Sequence, residues 1–92
     1  MKVTKRLRIH GQVQGVFYRN WSAAEARRLG LAGWVRNRRD GSVEMLLHGP
    51  EQPLAAMIEL CRAGPPAAVV NRIDVEKTEE SVPNGFEMRS SV

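Results

Sequence analysis

A nine-residue stretch near the N-terminus, Gly11-Gln-Val-Gln-Gly-Val-Phe-Tyr-Arg19, carries residue types suited to binding an oxyanion. In a short glycine-containing loop, successive backbone N–H groups can converge on one point, and the free N–H groups of a following helix point the same way. Arg19 adds a fixed positive charge and a planar set of donors that matches phosphate oxygens. The stretch therefore predicts an anion site, with a solvated surface arginine as the alternative.

The position of Arg19 bears on that choice. A cation in the first turn of a helix opposes the helix dipole and costs roughly 0.3–1 kcal/mol when no anion is present. A bound anion reverses the sign of this term. Gly15 is expected to be required by the backbone, either for a positive φ or for close approach to the anion.

The composition is that of a small globular protein, with 92 residues, 42% hydrophobic and 26% charged side chains. We therefore predict a single domain spanning residues 1–92. The net charge of +4 favours anionic partners, which include both phosphorylated metabolites and nucleic acids.

Cys61 is the only cysteine, which excludes an intrachain disulfide and a cysteine-rich metal site. His10 and His48 have no evident metal partners, so no metal site is predicted. The charged segment 1–6 is not followed by the apolar run of a signal peptide. No run approaches the roughly 20 apolar residues needed to span a bilayer. A cytoplasmic protein without membrane contact is the expectation.

Period-two alternation and turn signals predict the strands. Val3, Leu7, Ile9 and Val13 share one parity of the first strand. An Asp-Gly turn at residues 38–41 predicts a hairpin. The predicted strands cover residues 3–13, 31–37, 42–48 and 69–78, with a possible short fifth strand at residues 86–88.

Two helices are predicted. The first covers residues 20–29, with Trp21 on its apolar stripe, Gly30 as its stop, and a start as late as Ser22 if that residue opens a capping box. The second carries an apolar stripe at helical spacing that ends before Gly64-Pro65-Pro66. The stripe comprises Leu54, Met57, Ile58 and Cys61.

The predicted element order is β-α-β-β-α-β. This order is typical of the α+β class, specifically the ferredoxin-like split βαβ sandwich, with an antiparallel sheet and both helices on one face. Many unrelated functions occur on this fold, including RNA recognition, so the fold alone does not identify the activity.

Two segments together point to a family. Gly11 to Arg19 resembles the first signature of the acylphosphatases, and Gly33-Trp-Val-Arg-Asn37, followed by Gly41-Ser-Val-Glu44 and Gly49-Pro50, resembles the second. The spacing between the signatures, the chain length and the element order fit as well. The resemblance covers essentially the whole chain.

The resemblance implies hydrolysis of acyl phosphates to a carboxylate and inorganic phosphate, with no metal or cofactor. It assigns Arg19 to binding the phosphoryl group and Asn37 to positioning the attacking water. Loop N–H groups complete the phosphate site. The predicted phosphate-binding residues are Gln14, Gly15, Val16, Phe17, Tyr18 and Arg19. Side-chain roles for Gln14 and Ser42 are left open.

The chemistry of the residues agrees with that implication. The leaving carboxylate has a conjugate acid of pKa near ~4 and can depart without protonation, so no general acid is required. Phosphoryl transfer then needs charge stabilisation and an aligned water. Asn37, with a donor and an acceptor, can hold that water. Its structural alternative is an ordinary asparagine at the start of a hairpin turn.

Two further readings compete with hydrolysis. A nucleic-acid-binding module would carry exposed aromatic residues on the central strands, and no such run exists; Phe17 and Tyr18 lie in the predicted loop. A catalytically silent domain of a larger carbamoyl-transferring maturation factor is the third. We expect a monomer acting on a small acyl phosphate, whose acyl group the sequence does not define.

Overall fold

A computed structural model describes residues 1–92 and contains five strands and two helices. Their order is β-α-β-β-α-β followed by a short strand, as predicted. The strands are β1 (Lys2–Gln12), β2 (Ala32–Asn37), β3 (Val43–Pro50), β4 (Val69–Lys77) and β5 (Phe86–Met88), and the helices are α1 (Tyr18–Arg28) and α2 (Glu51–Ala63).

The sheet has the strand order β4-β1-β3-β2-β5. The first four strands pair antiparallel, with β1 between β3 and β4, which confirms the ferredoxin-like fold. The fifth strand corrects the prediction of a purely antiparallel sheet, because β5 pairs parallel to β2. Residues 78–85 carry the chain from the β4 edge to the opposite edge, where β5 enters alongside β2.

One hydrophobic core lies between the sheet and the two helices. The inward residues of the central strands, such as Leu7, Ile9 and Met45, are fully buried in it. All four residues of the predicted α2 stripe are buried in the same core, which confirms that prediction. Neither helix is long and apolar enough to cross a membrane.

The first helix begins two residues before its predicted start at residue 20, while Trp21 on its predicted apolar stripe packs against the core. The helix begins at Tyr18, about a turn earlier than a start at Ser22 would require, and its N-cap residue Phe17 makes no side-chain capping bond. Tyr18, which was predicted to lie in the loop, is buried in the core. Trp21 is partly buried, packs against the core and meets the Tyr18 ring edge-on, with ring centroids 5.4 Å apart. Ser22 Oγ donates to the Arg19 carbonyl inside the helix, so it does not form a capping box.

The end of β3 also differs from the prediction. β3 continues through Gly49-Pro50, which the sequence suggested as a break. Pro50 pairs with Lys2 at the last position of the ladder and then serves as the N-cap of α2. Proline is tolerated there because a strand end does not need its missing N–H.

The outer face of the sheet carries a buried carboxylate. Glu44 is only 4% exposed, and its Oε1 accepts hydrogen bonds of 2.8 Å from Arg36 Nε and from Arg38 Nη1. Burial acts to raise the pKa of Glu44, but the two arginine hydrogen bonds outweigh it and hold this pKa below its usual range. Glu44 therefore stays ionised at neutral pH and fixes the residues on either side of Asn37.

Alkaline pH should destabilise the fold through Cys61. Burial raises the pKa of its thiol from 9.0 to about 12. The unfolded chain therefore loses this proton first, and stability should fall by about 1.4 kcal/mol per pH unit above pH ~9. Below pH ~9 the Cys61 thiol is protonated in both the folded and the unfolded chain, so it should not make stability depend on pH.

Urea unfolding at closely spaced pH values measures this effect. The Cys61→Ala variant should lose the slope between pH 9 and 10, whatever its absolute stability. Above pH ~10 both proteins should weaken further, because burial also raises the pKa of the Tyr18 phenol. Equal slopes in the two proteins between pH 9 and 10 would show that Cys61 does not govern this range.

Candidate active site

The loop between β1 and α1 has the backbone shape that the first motif predicted. Gly15 adopts φ 76° with no atom near the position of a Cβ, so its requirement comes from the backbone angle and not from space. Phe17 follows at φ 63°, which is an unfavourable angle for a residue with a side chain. The two left-handed residues turn the loop tightly into α1.

The backbone N–H groups of residues 14–20 make no hydrogen bond within the protein. The first amide to make a hydrogen bond of the helical pattern is that of Trp21, which donates to the carbonyl of the N-cap residue Phe17 at 3.0 Å. The first turn of α1 also lacks acidic residues and a side-chain cap. These amides, which we call the amide cup, therefore form a positively polarised surface available to an anion.

A pocket of about 410 Å³ opens beside the amide cup. Arg19 and Asn37 both line it, so the structure brings the two sequence-predicted catalytic residues together. The full lining comprises Val13, Gly15, Phe17, Tyr18, Arg19, Asn20 and Asn37. The only hydrogen bond of the Arg19 guanidinium is a long one of 3.4 Å to the Arg89 carbonyl, which leaves most of its donors available.

Strand alternation sets the direction of Asn37. Its neighbours Arg36 and Arg38 both reach Glu44 on the outer face of the sheet. Because successive side chains of a strand point to opposite faces, Asn37 is directed to the other face, where the pocket lies. The side-chain carboxamide of Asn37 makes no hydrogen bond within the protein. The main-chain carbonyl of Asn37 accepts one of 3.1 Å from the Val92 amide.

The turn after Asn37 is tightly bonded. Asp40 Oδ1 accepts hydrogen bonds from the Ser42 amide at 2.9 Å and from the Ser42 hydroxyl at 2.6 Å. The hydroxyl bond from Ser42 is the main reason that the pKa of Asp40 lies below its usual range. Ser42 is buried and does not line the pocket, so its hydroxyl stabilises the turn.

The remaining loop side chains point away from the pocket or to its rim. The Gln14 side chain leaves the pocket and bonds to the turn after Asn37. Val16 packs on the core, and the buried Tyr18 donates from its hydroxyl to the Cys61 carbonyl at 2.6 Å. Phe17 is 78% exposed and lines the pocket. These residues can therefore contribute main-chain N–H groups, as the sequence suggested.

Three features of the site were missed by sequence reasoning. Asn20 lines the pocket, and the only signal for it in the sequence was its position directly after Arg19. The Arg89 carbonyl reaches Arg19, and Val92 bonds to Asn37 and to Arg39. No sequence pattern could have indicated these last contacts, because β5 delivers the C-terminal residues from the far edge of the sheet.

Neither histidine lies in the pocket. His10 pairs with Asp74 at 3.1 Å, and His48 with the Thr4 hydroxyl at 2.6 Å, both through outer-face side chains. No group of three or more histidine, cysteine, aspartate or glutamate side chains is arranged to hold a metal ion. The chemistry available in the pocket is that of N–H donors, the Arg19 guanidinium and the carboxamides of Asn20 and Asn37.

Comparison with known proteins places this site in a family. Residues 5–88 match the family model for acylphosphatase. A curated acylphosphatase of Rhodospirillum rubrum is 49% identical over 89 residues, which are 97% of this chain and 98% of that protein.

Two solved structures have the same fold over nearly their full lengths. An acylphosphatase from Coxiella burnetii matches with a TM-score of 0.91 and 31% identity, covering 96% of this chain and 93% of that one. The acylphosphatase of Bacillus subtilis matches with a TM-score of 0.89 and 37% identity, covering 97% and 99%.

The fold and the matches define an α+β sandwich of the acylphosphatase class. The chain belongs to the acylphosphatase family. It is an enzyme with acylphosphatase function, which hydrolyses the anhydride bond between a carboxylate and phosphate.

Proposed function

We propose that the amide cup and Arg19 together bind the phosphoryl group of the substrate. The observation that carries this assignment is a single pocket that contains Arg19, Asn37 and a run of N–H groups without partners in the protein. The N-terminus of α1 attracts negative charge. The Arg19 guanidinium can form charge-assisted, two-pronged hydrogen bonds to phosphate oxygens. The acyl group is then left near the exposed Phe17 rim.

Asn37 holds the attacking water in this proposal. Its carboxamide offers both an acceptor and a donor, and neither is used within the protein. A water bonded to it can approach phosphorus opposite the leaving carboxylate while the cup and Arg19 stabilise charge on the equatorial oxygens. No side chain needs to protonate the leaving group. The phosphate itself accepts the proton of the water.

Hydrolysis of benzoyl phosphate tests the proposed mechanism. We expect turnover that is unchanged by EDTA, and competitive inhibition by inorganic phosphate, since the product occupies the same cup as the phosphoryl group. A requirement for added metal, or phosphate inhibition that is not competitive, would contradict the mechanism.

The outer face of the sheet supports a small-molecule substrate over nucleic acid. Its aromatic residue is Trp34, which is 4% exposed. The guanidinium groups of Arg36 and Arg89 lie over its ring, 4.6 and 5.1 Å from the ring centroid. A base cannot stack on a ring that is already covered in this way. We propose that the protein does not act on nucleic acid.

We further propose that residues 1–92 act as one catalytic domain, as a monomer, in the cytoplasm. Arg19 and Asn37 line one pocket, and the loop that supplies the amide cup belongs to the same chain. Sedimentation of the active enzyme should give the mass of a single chain.

A further inference from the structure

The side chain of Gln14 joins two segments that carry different parts of the site. Its Nε2 donates to the Arg38 carbonyl at 2.7 Å and to the Ser42 carbonyl at 2.9 Å. The backbone of Gln14 belongs to the amide cup, whereas both acceptors belong to the turn that follows Asn37. These are the only hydrogen bonds between the loop of residues 13–17 and the turn of residues 38–42.

The sheet itself does not hold these segments together. The ladder between β1 and β3 ends at the pair Ile9 and Val43, and after His10 the register of β1 against β4 shifts. From there β1 continues toward the cup without a partner on the β3 side. The Gln14 carboxamide bridges this opening, and it uses both of its N–H donors to do so.

We propose that Gln14 is a positioning residue that sets the distance between the bound phosphoryl group and the water on Asn37. The inference rests on the proposed roles of the cup and of Asn37. The Gln14 side chain acts through the turn and does not itself touch the substrate, whereas the Gln14 backbone N–H stays in the cup. Because a misplacement of about 1 Å between reacting groups can cost roughly 100-fold in rate, a single side-chain bridge at this point can control turnover.

The proposal predicts a specific pattern for Gln14→Ala. The backbone N–H groups of the cup remain, so the inhibition constant for inorganic phosphate should change by less than about threefold. The water should be less well aligned, so kcat for benzoyl phosphate should fall by roughly 10–100-fold. Gln12→Ala is the matched control, because Gln12 is an exposed glutamine two residues earlier and should leave both constants unchanged.

A double-mutant cycle with Asn37→Ala isolates the coupling. If Gln14 acts by positioning Asn37, its loss should have little further effect on kcat, less than about threefold, once the Asn37 carboxamide is gone. Multiplying effects of the two substitutions would overturn the proposal, as would a Gln14→Ala variant with full activity. Full activity of Asn37→Ala would overturn the water-holding role itself, and with it the reason for assigning Gln14.

Gln14→Glu gives an independent readout. A carboxylate there cannot donate and faces two carbonyl oxygens, so kcat should fall at least as far as in Gln14→Ala. Protonation near pH ~4 restores one O–H donor. The activity of Gln14→Glu relative to wild type should therefore rise as the pH falls toward 4, whereas that of Gln14→Ala should not. Parallel pH profiles for the two variants would contradict the bridging role.

Discussion

Replacing Arg19 with glutamine should lower kcat/KM for benzoyl phosphate by roughly 10³–10⁵-fold, the range found where an arginine stabilises a transferring phosphoryl group. Glutamine keeps a polar side chain but is shorter, and it removes the charge and the two-pronged donor geometry. The loop amides remain, so some activity should persist. Initial rates at several substrate concentrations measure the loss, and phosphate inhibition should weaken in parallel.

The same substitution should leave the fold intact or slightly more stable. Arg19 is a cation in the first turn of α1, where it opposes the helix dipole, and the one hydrogen bond of its guanidinium is the 3.4 Å bond to the Arg89 carbonyl. Its removal should therefore raise the free energy of unfolding by up to ~1 kcal/mol at low salt. Arg28→Gln, an exposed change in the last turn of the same helix, should leave activity unchanged. Wild-type activity in Arg19→Gln would refute the phosphate-binding role.

Asn37→Ala should reduce kcat by roughly 10²–10³-fold, the effect of losing one preorganised polar group in a catalytic site. Only the side chain that faces the pocket is removed, since the bond to Val92 uses the main-chain carbonyl. Phosphate should consequently inhibit Asn37→Ala about as well as it inhibits wild type. Separate determination of kcat and of the phosphate inhibition constant distinguishes water positioning from phosphate binding.

Asn71 provides a matched control for Asn37. It is an exposed asparagine on the edge strand β4 and does not line the pocket. Asn71→Ala should retain full kcat. If Asn37→Ala weakened phosphate inhibition as strongly as it lowered kcat, Asn37 would be a phosphate ligand and its assigned role would be wrong.

Local patterns predicted most of the fold. The alternation in β1 and the stripe of α2 could be recognised because each element buries one face against a single core, which imposes its period on the sequence. The direction in which β5 pairs with β2 could not be predicted. Whether a three-residue strand pairs parallel or antiparallel depends on which edge the preceding segment reaches, and residues 78–85 contain no signal for that.

The first helix shows why the burial of Tyr18 was not predicted. Trp21 is larger and more apolar than Tyr18, so composition favours Trp21 for the core. The structure buries Tyr18 because its hydroxyl has a partner, the Cys61 carbonyl at 2.6 Å, and the loop before it turns sharply at Phe17. A buried phenol is acceptable only with such a partner, and that partner is 43 residues away in the sequence.

In the candidate site, likewise, some residues could be predicted from the sequence and others could not. Residue types and loop chemistry indicated Arg19 and the amide cup, while the pairing of Arg19 with Asn37 came from the family resemblance. The side-chain partners of Gln14 could not be predicted. They are main-chain carbonyls, which every residue has, so no residue type marks them in the sequence. Their positions depend on the conformation of the β2–β3 turn.

Backbone amide NMR during titration with inorganic phosphate tests most directly whether the cup and Arg19 bind the phosphoryl group. We expect saturable shifts that are largest at residues 14–19, with matched sodium chloride causing none of them, and a much weaker response in Arg19→Gln. The structure offers a second cleft for comparison, at the other end of β1, whose lining includes two lysines and two glutamates. Saturation at that cleft, with the amides of residues 14–19 unmoved, would contradict the account.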